Sequence, residues 1–371
     1  MTPQKINSVL FFGTSAELIK IWPLITELEK KTKVSLLTSN QQPVELRQLE
    51  ESFGLKSISH LRSQKRGNLV SKAQVFPWLV MVIINSVIQL RKLKSIAKVD
   101  QKKVLVFVHG DTMTCVIGAL AGRLSRCEVV HVEAGLRSHD WRNPFPEEIN
   151  RVIVARLAQY HFAPDQIAVA NLEGRKGKIV NTHGNTARDS MRIMREKLTI
   201  EKIDKPYTLV SLHRAELLAN KQVLIFTVEE LVHVAKNHRM VMVVDALTRN
   251  TLEALGIHSK LQESNIELNE KMPYPDFLKL VIGAERVITD SGGLQEECGD
   301  LGIPCLVHRK ATERFDGIGT TASLSLWEER AITNFVMMDL GNRGEQDSGQ
   351  ILEKESPTAV IIESLNEYGL L

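Results

Sequence analysis

Three carboxylates stand next to apolar segments of this 371-residue sequence, where an acid or a base could act on a bound substrate. Asp111 follows the run VLVFVHG, and Glu133 ends the run VVHVE. Glu147 begins a helical pattern that places Arg151 on the same face. Burying a carboxylate at the end of an apolar strand costs folding free energy unless the carboxylate is paired, so an unpaired one indicates a function. Asp111 could instead cap a helix, and Glu147 lies where the helix dipole favours its ionised form. These positions therefore suit proton transfer, with a structural alternative for each.

Two basic residues are further candidates for the site, one at a strand end and one in the first helix. His213 ends the run TLVSL, and imidazole is the side chain whose ordinary pKa lies nearest neutral pH. A single histidine at a strand end is often structural, so its catalytic interpretation depends on its facing the carboxylates of the first half. Lys20 lies one turn into the helix after Gly13, where it could reach an anion.

The sharpest motif is TDSGGLQEE at residues 289–297, which leads from a strand into a helix. Ser291, Gly292 and Gly293 would place free N–H groups at a helix start, with room for a phosphate to approach closely. Glu297, one turn further on, would suit ribose hydroxyls, and Arg314 adds a basic loop. The motif is neither the Walker sequence nor GxGxxG, and it predicts a nucleotide site.

Apolar β-rich runs alternate with helical patterns along both halves of the sequence. The predicted strands include residues 9–12, 34–38, 104–109 and 129–133 in the first half, and 207–212, 240–244, 286–289 and 305–308 in the second. Such alternation is typical of parallel sheets covered by helices on both faces. We therefore predict an α/β fold with two Rossmann-like, doubly wound domains that face each other across a cleft. The expected domains are residues 1–187 and 188–354, and a final helix within residues 355–371 is expected to pack on the first domain.

The composition excludes several classes of protein. Hydrophobic residues make up 43% and charged residues 25% of the chain, and the net charge is +3. These values argue against a disordered protein and against a non-specific nucleic-acid binder. The four cysteines form no CxxC pair, so we expect small buried hydrophobic residues in a reducing compartment, the cytoplasm.

One stretch of 18 residues, 73–90, contains no charged side chain. A membrane-spanning helix needs about 20 predominantly apolar residues, and this stretch is short and contains Pro77 and Asn85. A helix buried in the domain or in a subunit interface is the preferred interpretation. Contact with a membrane surface and a true span are the alternatives.

Together, the stretches GTSAELIK, VHGDT, HVEAGLRSHDWRNPFPEEINR, GNTARDSM, HR and TDSGGLQEE resemble the non-hydrolysing UDP-N-acetylglucosamine 2-epimerase family. The resemblance covers residues 13–314 and implies a glycosyltransferase B type fold and a homodimer. It implies that UDP is eliminated from C1 while a base removes the C2 proton. UDP then adds back to the 2-acetamidoglucal, after protonation on the other face, and no metal or cofactor is needed.

The resemblance also implies roles for individual residues. Asp111, Glu133 and Glu147 would be the acid and base candidates, with His213 at the leaving diphosphate. The implied substrate-binding residues are Lys20, Arg151, Ser291, Gly292, Gly293, Glu297 and Arg314. The substrate would be a UDP-N-acetylhexosamine. A hydrolysing 2-epimerase that releases N-acetylmannosamine and UDP, a glycosyltransferase and a non-catalytic sugar-nucleotide-binding protein are the alternatives.

The sequence departs from the family pattern at several places. Ser15-Ala16 replaces Arg-Pro of the family's first turn, and Ala215 interrupts the usual HRRE. Residues 41–45, 245–250 and 315–316 differ as well. Several of these segments belong to the family's regulatory site for a second UDP-GlcNAc.

Overall fold

The computed structural model describes residues 6–39, 41–55, 58–60, 72–99, 103–142, 145–198, 206–312, 314, 317–340 and 355–371. Its contacts divide the chain into two compact units. The first unit contains the chain up to Ile193 together with Glu355–Leu371, and the second begins at Met194 and extends to Lys354.

The described elements of the first unit alternate between strands and helices. The strands are β1 (Ile6–Phe12), β2 (Lys33–Thr38), β3 (Ile58–His60), β4 (Lys103–His109), β5 (Glu128–Val132), β6 (Tyr160–Ala163) and β7 (Lys178–Asn181). The helices are α1 (Ser15–Glu29), α2 (Pro43–Phe53), α3 (Lys72–Val99), α4 (Met113–Leu124), α5 (Glu147–Leu157), α6 (Gln166–Asn171) and α7 (Ala187–Lys197), with α15 (Pro357–Glu367) at the end of the chain. The second unit begins within α7, at Met194.

The second unit follows the same alternation. Its described strands are β8 (Thr208–Ser211), β9 (Met240–Val244), β10 (Ile266–Glu270), β11 (Arg286–Thr289), β12 (Cys305–Val307) and β13 (Ala322–Leu324). Its described helices are α8 (Ala215–Ala219), α9 (Lys221–Val234), α10 (Ala246–Ala254), α11 (His258–Gln262), α12 (Tyr274–Gly283), α13 (Gly292–Leu301) and α14 (Ala331–Met337).

Each unit is built around one parallel sheet. In the described residues, the first sheet has the order β3-β2-β1-β4-β5-β6-β7 and the second has the order β10-β9-β8-β11-β12-β13. Both orders wind outward in two directions from a central strand, as in the Rossmann fold, where ligands bind beyond the carboxyl ends of the strands. The prediction of two Rossmann-like, doubly wound α/β sheets is confirmed.

The core of the first unit explains why its central strands read as continuous apolar runs. Val106 and Val108 of β4 are buried with Phe11 of β1, and α4 presents small residues to them. At Gly118 an added Cβ would lie 2.7 Å from a methyl group of Val108, so only glycine lets α4 come this close to the sheet. The strand ends that carry the candidate site are therefore held by a close-packed interior.

The chain returns to the first unit at its end. Ser356 caps α15 through its side chain, and Pro357 occupies the first turn. The Thr358 N–H donates to Asp189 Oδ2 at 2.8 Å, and α15 packs against α1. The last helix therefore belongs to the unit that contains Asp111 and Glu133.

Helix α3 contains the uncharged stretch and buries one of its faces. Trp78, Val82 and Leu90 are buried, whereas Ile84 and Ile88 are 53% and 57% exposed. No helix in the described part of the chain is long and apolar enough to cross a membrane. The stretch is thus half buried against α4 and β4, and its outer face is apolar.

Candidate functional site

The first turn of α1 is occupied by a carboxylate of the chain itself. Glu17 is buried, and its Oε2 accepts from the N–H groups of Gly13 at 2.8 Å and Thr14 at 2.9 Å. Its Oε1 accepts from the Thr112 hydroxyl at 2.5 Å. Burial raises the pKa of Glu17, and these hydrogen bonds oppose that rise. The N–H groups of this turn, which could otherwise attract a phosphate, are therefore satisfied internally.

Glu133 lies directly after β5 and is almost completely buried. Lys20 Nζ of α1 contacts its Oε2 at 2.7 Å, and His109 Nε2 at the end of β4 lies 3.3 Å from the same oxygen. The backbone of Glu133 has φ +60°, in the left-handed region that non-glycine residues rarely adopt. The strand ends at Val132, one residue before the predicted end, so this turn, and not strand alternation, sets the direction of the Glu133 side chain.

Asp111 lies after β4, the strand next to β5. Its Oδ2 accepts from Arg151 Nε at 2.9 Å and Nη2 at 2.7 Å, and its main-chain oxygen accepts from Asn150 Nδ2 at 2.8 Å. The Asp111 side chain is 26% exposed, whereas that of Arg151 is 5% exposed. Helix α5 thus holds the turn after β4 from one side and leaves part of the Asp111 carboxylate open.

The two glutamates that begin α5 have different surroundings. Glu147 Oε2 is buried and accepts no hydrogen bond from the residues that the structure describes. Glu148 accepts from Arg137 Nε at 2.5 Å and from the Ser138 N–H at 3.0 Å, and it lies 3.5 Å from Arg151. Burial raises the pKa of Glu148, but these donors outweigh burial and lower it. Both side chains of the Glu148–Arg151 pair are buried.

In the second unit, the residues after β8 and β11 contact each other. Asp290 is fully buried, and its carboxylate accepts from the N–H groups of His213 at 3.0 Å and Arg214 at 2.8 Å. His213 Nδ1 is 3.8 Å from Asp290 Oδ1, and the imidazole is 44% exposed. Asp290 therefore fixes the backbone that carries His213 and leaves its ring accessible.

The N-terminus of α13 carries the predicted anion-binding residues. Ser291 caps the helix through its side chain, which accepts from the Leu294 N–H. Arg314 lies against this turn, where its Nη1 forms an ion pair with Glu296. A Cβ added to Gly292 would lie 2.7 Å from Cδ and Nε of Arg314, whereas Gly293 meets only Ser291 Oγ, at 3.9 Å. Gly292 thus makes room for Arg314, and among the described residues only Ser291 lies near a Cβ added to Gly293, at the positive end of the helix dipole.

Glu297 lies one turn further along α13. Its Oε1 accepts from the Tyr274 hydroxyl at 3.1 Å. Burial and the neighbouring Glu297 carboxylate raise the pKa of Tyr274 well above its ordinary value, so the phenol keeps its proton and donates. This hydrogen bond orients the carboxylate that the sequence assigns to ribose hydroxyls.

The structure divides the predicted residues between the two units. The first unit contains Lys20, Asp111, Glu133, Glu147 and Arg151, and the second contains His213, Ser291, Gly292, Gly293, Glu297 and Arg314. Their roles in catalysis and in binding stay predictions. Lys20 and Arg151 each contact a candidate acid or base, which their assignment as substrate-binding residues did not anticipate.

Three supporting residues were missed by sequence reasoning. Glu17 could have been found, because Thr14-x-x-Glu17 is the pattern of a capping box, which the structure contains. Asp290 lies within the TDSGGLQEE motif, but the sequence assigns it no contact, and it assigns no role to Tyr274. No local signal connects Asp290 to His213 or Tyr274 to Glu297, because each pair is far apart in the sequence.

Two of the segments that depart from the family pattern contact each other. The N–H and the hydroxyl of Ser15 both donate to Gln42 Oε1, each at 2.9 Å. A short polar pair therefore stands where the resemblance expects an arginine. Phe315 and Asp316, which also depart from the pattern, and the neighbouring Glu313 lie outside the described residues.

Comparison with known proteins places this geometry in a family. The family model described as UDP-N-acetylglucosamine 2-epimerase matches residues 29–337. The UDP-N-acetylglucosamine 2-epimerase of Bacillus subtilis is 30% identical, and the match covers 99% of this chain and 97% of that protein.

Solved structures give the same result. A UDP-GlcNAc 2-epimerase from Neisseria meningitidis, bound to UDP-GlcNAc, matches 98% of this chain and 100% of its own with a TM-score of 0.78 and 27% identity. The enzyme from Methanocaldococcus jannaschii, in complex with UDP-GlcNAc and UDP, matches 98% of this chain and 100% of its own with a TM-score of 0.75 and 28% identity. On its sequence and on its fold, this chain belongs to the UDP-N-acetylglucosamine 2-epimerase family.

Proposed function

We propose that this protein interconverts UDP-GlcNAc and UDP-ManNAc through elimination and re-addition of UDP. The observation that carries the proposal is the pair of acidic turns after β4 and β5, in a chain of this family. Asp111 and Glu133 end neighbouring parallel strands, and each contacts a buried or half-buried cation of the same unit. Ordered carboxylates at one sheet edge are what a reaction with two proton transfers requires.

The carboxylates differ in ways that suit different steps. Glu133 has its charge compensated by Lys20, and Asp111 has its charge compensated by Arg151. Glu147 Oε2 is buried and accepts no hydrogen bond from the described residues, and we assign to the substrate the donor that it lacks. In the proposed reaction, one carboxylate removes the C2 proton while the C1–O bond to UDP breaks, and a second group returns a proton to the opposite face. Asp111, Glu133 and Glu147 are the candidates for these two tasks.

The leaving diphosphate needs stabilisation of its developing charge. The N-terminus of α13 offers N–H groups and the positive end of a helix dipole, and Arg314 lies against it. His213 has an exposed ring on a backbone that Asp290 holds, which supports its assignment to proton transfer at the diphosphate. Glu297, oriented by Tyr274, would bind ribose hydroxyls.

Incubation with UDP-GlcNAc in deuterated water, followed by proton NMR, tests the reaction. We expect the C2 proton signal to disappear and a manno product to form. Asp111→Asn and Glu133→Gln should each slow this exchange by about 10²- to 10⁴-fold. Glu27→Gln, an exposed change on α1, is the matched control and should retain the wild-type rate.

The same spectra separate the alternatives. Free N-acetylmannosamine with UDP would identify a hydrolysing 2-epimerase, and turnover that requires an added acceptor would identify a glycosyltransferase. Binding of UDP-GlcNAc without exchange or product would refute the proposed reaction and leave a binding protein.

We also propose that a second copy of the chain covers the outer face of α3. Val80, Met81, Ile84 and Ile88 form this face, and each is at least 41% exposed. Apolar side chains that recur at such spacing on one exposed helix face indicate an interaction site. Ile84→Glu should convert a dimer into a monomer in analytical ultracentrifugation, whereas Ile167→Glu, an equally exposed position on α6, should leave the dimer intact. A wild-type monomer at micromolar concentration would refute this assignment.

The four cysteines support a cytoplasmic location. All are buried and none forms a disulfide. Free buried thiols are typical of proteins that work in a reducing compartment. Fractionation of the native host, with the chain detected in the cytoplasmic fraction, is the expected result.

A further inference from the structure

Helix α1 contacts both of the acidic turns that the proposed reaction uses. Glu17 and Lys20 are three residues apart on α1 and therefore lie on one face of it. Lys20 Nζ reaches Glu133 at 2.7 Å, and Glu17 Oε1 accepts from Thr112, the residue after Asp111, at 2.5 Å. A single helix thus touches the turn after β4 and the turn after β5.

The Glu17 carboxylate is held in place by several hydrogen bonds, so it can fix the position of a group that it contacts. Its second oxygen accepts two N–H groups of the turn between β1 and α1, and also the Thr14 hydroxyl at 3.0 Å. β1, which leads into this turn, is paired with β4 in the middle of the sheet. The carboxylate is therefore tied to the rigid centre of the unit by three donors before it meets Thr112.

Thr112 connects Glu17 to the turn that carries Asp111. Its hydroxyl donates to Glu17 and accepts from the Cys115 N–H at 3.1 Å, which makes it the N-cap of α4. On the opposite side of the turn, Asn150 and Arg151 of α5 hold the Asp111 backbone and carboxylate. The turn is thus held between α5 and Glu17.

We propose that Glu17 is a positioning residue which, through Thr112, sets the placement of Asp111 relative to Glu133. Glu17 does not act on the substrate, because its two oxygens accept hydrogen bonds from the chain and it is buried. Gly110 of this turn is also bonded to Val132 and His131 of β5. Without the bond to Thr112, these contacts and α5 would hold the turn, but its α1 side would be free, and Asp111 could shift relative to the Lys20–Glu133 pair. A displacement of about 1 Å at a reacting group costs roughly 100-fold in rate. This inference rests on the proposed epimerase reaction.

Thr112→Val tests it, with Thr112→Ser as the conservative variant and Thr14→Val as the matched control. Thr112→Val and Thr14→Val each remove one helix cap and one hydroxyl donor to Glu17, but only Thr112→Val breaks the connection to Asp111. We expect Thr112→Val to lower kcat by about 10- to 100-fold. The Kd for UDP should be unchanged, because Ser291, Glu297 and Arg314, proposed to bind its diphosphate and ribose, lie in the second unit. Thr112→Ser and Thr14→Val should keep kcat close to wild type.

Two results would overturn the inference: a wild-type kcat in Thr112→Val, or an equal loss of kcat in Thr14→Val, which would reveal a general effect of lost caps. If the wild-type protein shows no exchange at C2, the proposed reaction itself fails, and the crystal structure of Thr112→Val then decides the positioning role. A turn 110–112 displaced from α1 would support it, and an unchanged turn would overturn it.

Discussion

The close approach of Arg314 to Gly292 allows a test of the proposed anion site in which a single Cβ atom is added. In Gly292→Ala, the new Cβ would lie 2.7 Å from Cδ and Nε of Arg314, a distance that forces the side chain to move. The backbone of Gly292 is helical, so alanine is accepted there without strain. The substitution therefore displaces one guanidinium and leaves the helix in place.

The expected magnitude follows from the contact that is lost. A hydrogen bond to a charged group is worth about 1.5–3 kcal/mol, so the Kd for UDP should rise by about 10- to 150-fold. Stability should change by less than about 2 kcal/mol, because the helix gain of alanine over glycine offsets part of the overpacking. Isothermal titration calorimetry with UDP and urea unfolding measure the two quantities.

A double-mutant cycle shows whether the effect passes through Arg314. Arg314→Ala should weaken UDP binding by a similar factor, and Gly292→Ala should add nothing in that background. If the two losses are additive, or if Gly292→Ala binds UDP as wild type does, Arg314 does not bind the diphosphate in the way the geometry suggests.

Three further predictions concern stability and pH. Glu148→Gln should destabilise the protein by about 3 kcal/mol, measured by urea unfolding, because it removes the buried carboxylate that pairs with Arg137 and leaves Arg151 with Asp111 as its partner. Since the pKa of Glu148 is lowered by folding, its stabilisation exists above the unfolded pKa and is lost as the pH falls through the folded value, so the variant should lose less stability in acid. The pKa of Glu17 is raised by burial, so its contribution has the opposite sign: it is present below the unfolded pKa and is lost as the pH rises through the folded pKa. Glu17→Gln should therefore lose less free energy of unfolding than the wild type does as the pH rises from about 4 to 7. Gly110→Ala should cost about 1–2 kcal/mol in unfolding experiments, because Gly110 has φ +67°, whereas Gly293→Ala should cost less.

The sequence predicts the central elements of the fold well, and the reason is physical. Strand β4 is buried on both sides, so its sequence is a continuous apolar run, which predicts a strand at residues 104–109. Helix α4 follows it and begins after a threonine cap. The sequence does not predict the short strands β3 and β13, since three residues carry no measurable periodicity. Strand β12 is equally short, but it lies in the apolar run 305–308, which does indicate a strand. Elements stabilised mainly by their neighbours are the ones that the sequence does not indicate.

In the candidate site, too, the sequence predicts the residues that carry a local signal and not the contacts that position them. Asp111, Glu133 and Ser291 were found because each is a polar residue that ends an apolar run or starts a helix, a local signal. The bonds that position them join residues far apart: Thr112 donates to Glu17 across 95 positions, and His213 donates to Asp290 across 77. Parallel strands bring such residues to one sheet edge only after the strand order is known.

The strand order also separates what this chain retains from what it has changed. At the start of α1, Ser15 departs from the family pattern and contacts Gln42, which directly precedes α2. On the same helix, Glu17 and Lys20 are retained and contact the turns after β4 and β5. β1 lies between β2 and β4, so these two sets of contacts point toward opposite sides of the strand that carries them. The changes beside β2 can therefore alter a neighbouring binding region while the contacts that hold Asp111 and Glu133 stay intact, which favours retained proton-transfer chemistry over a purely binding role.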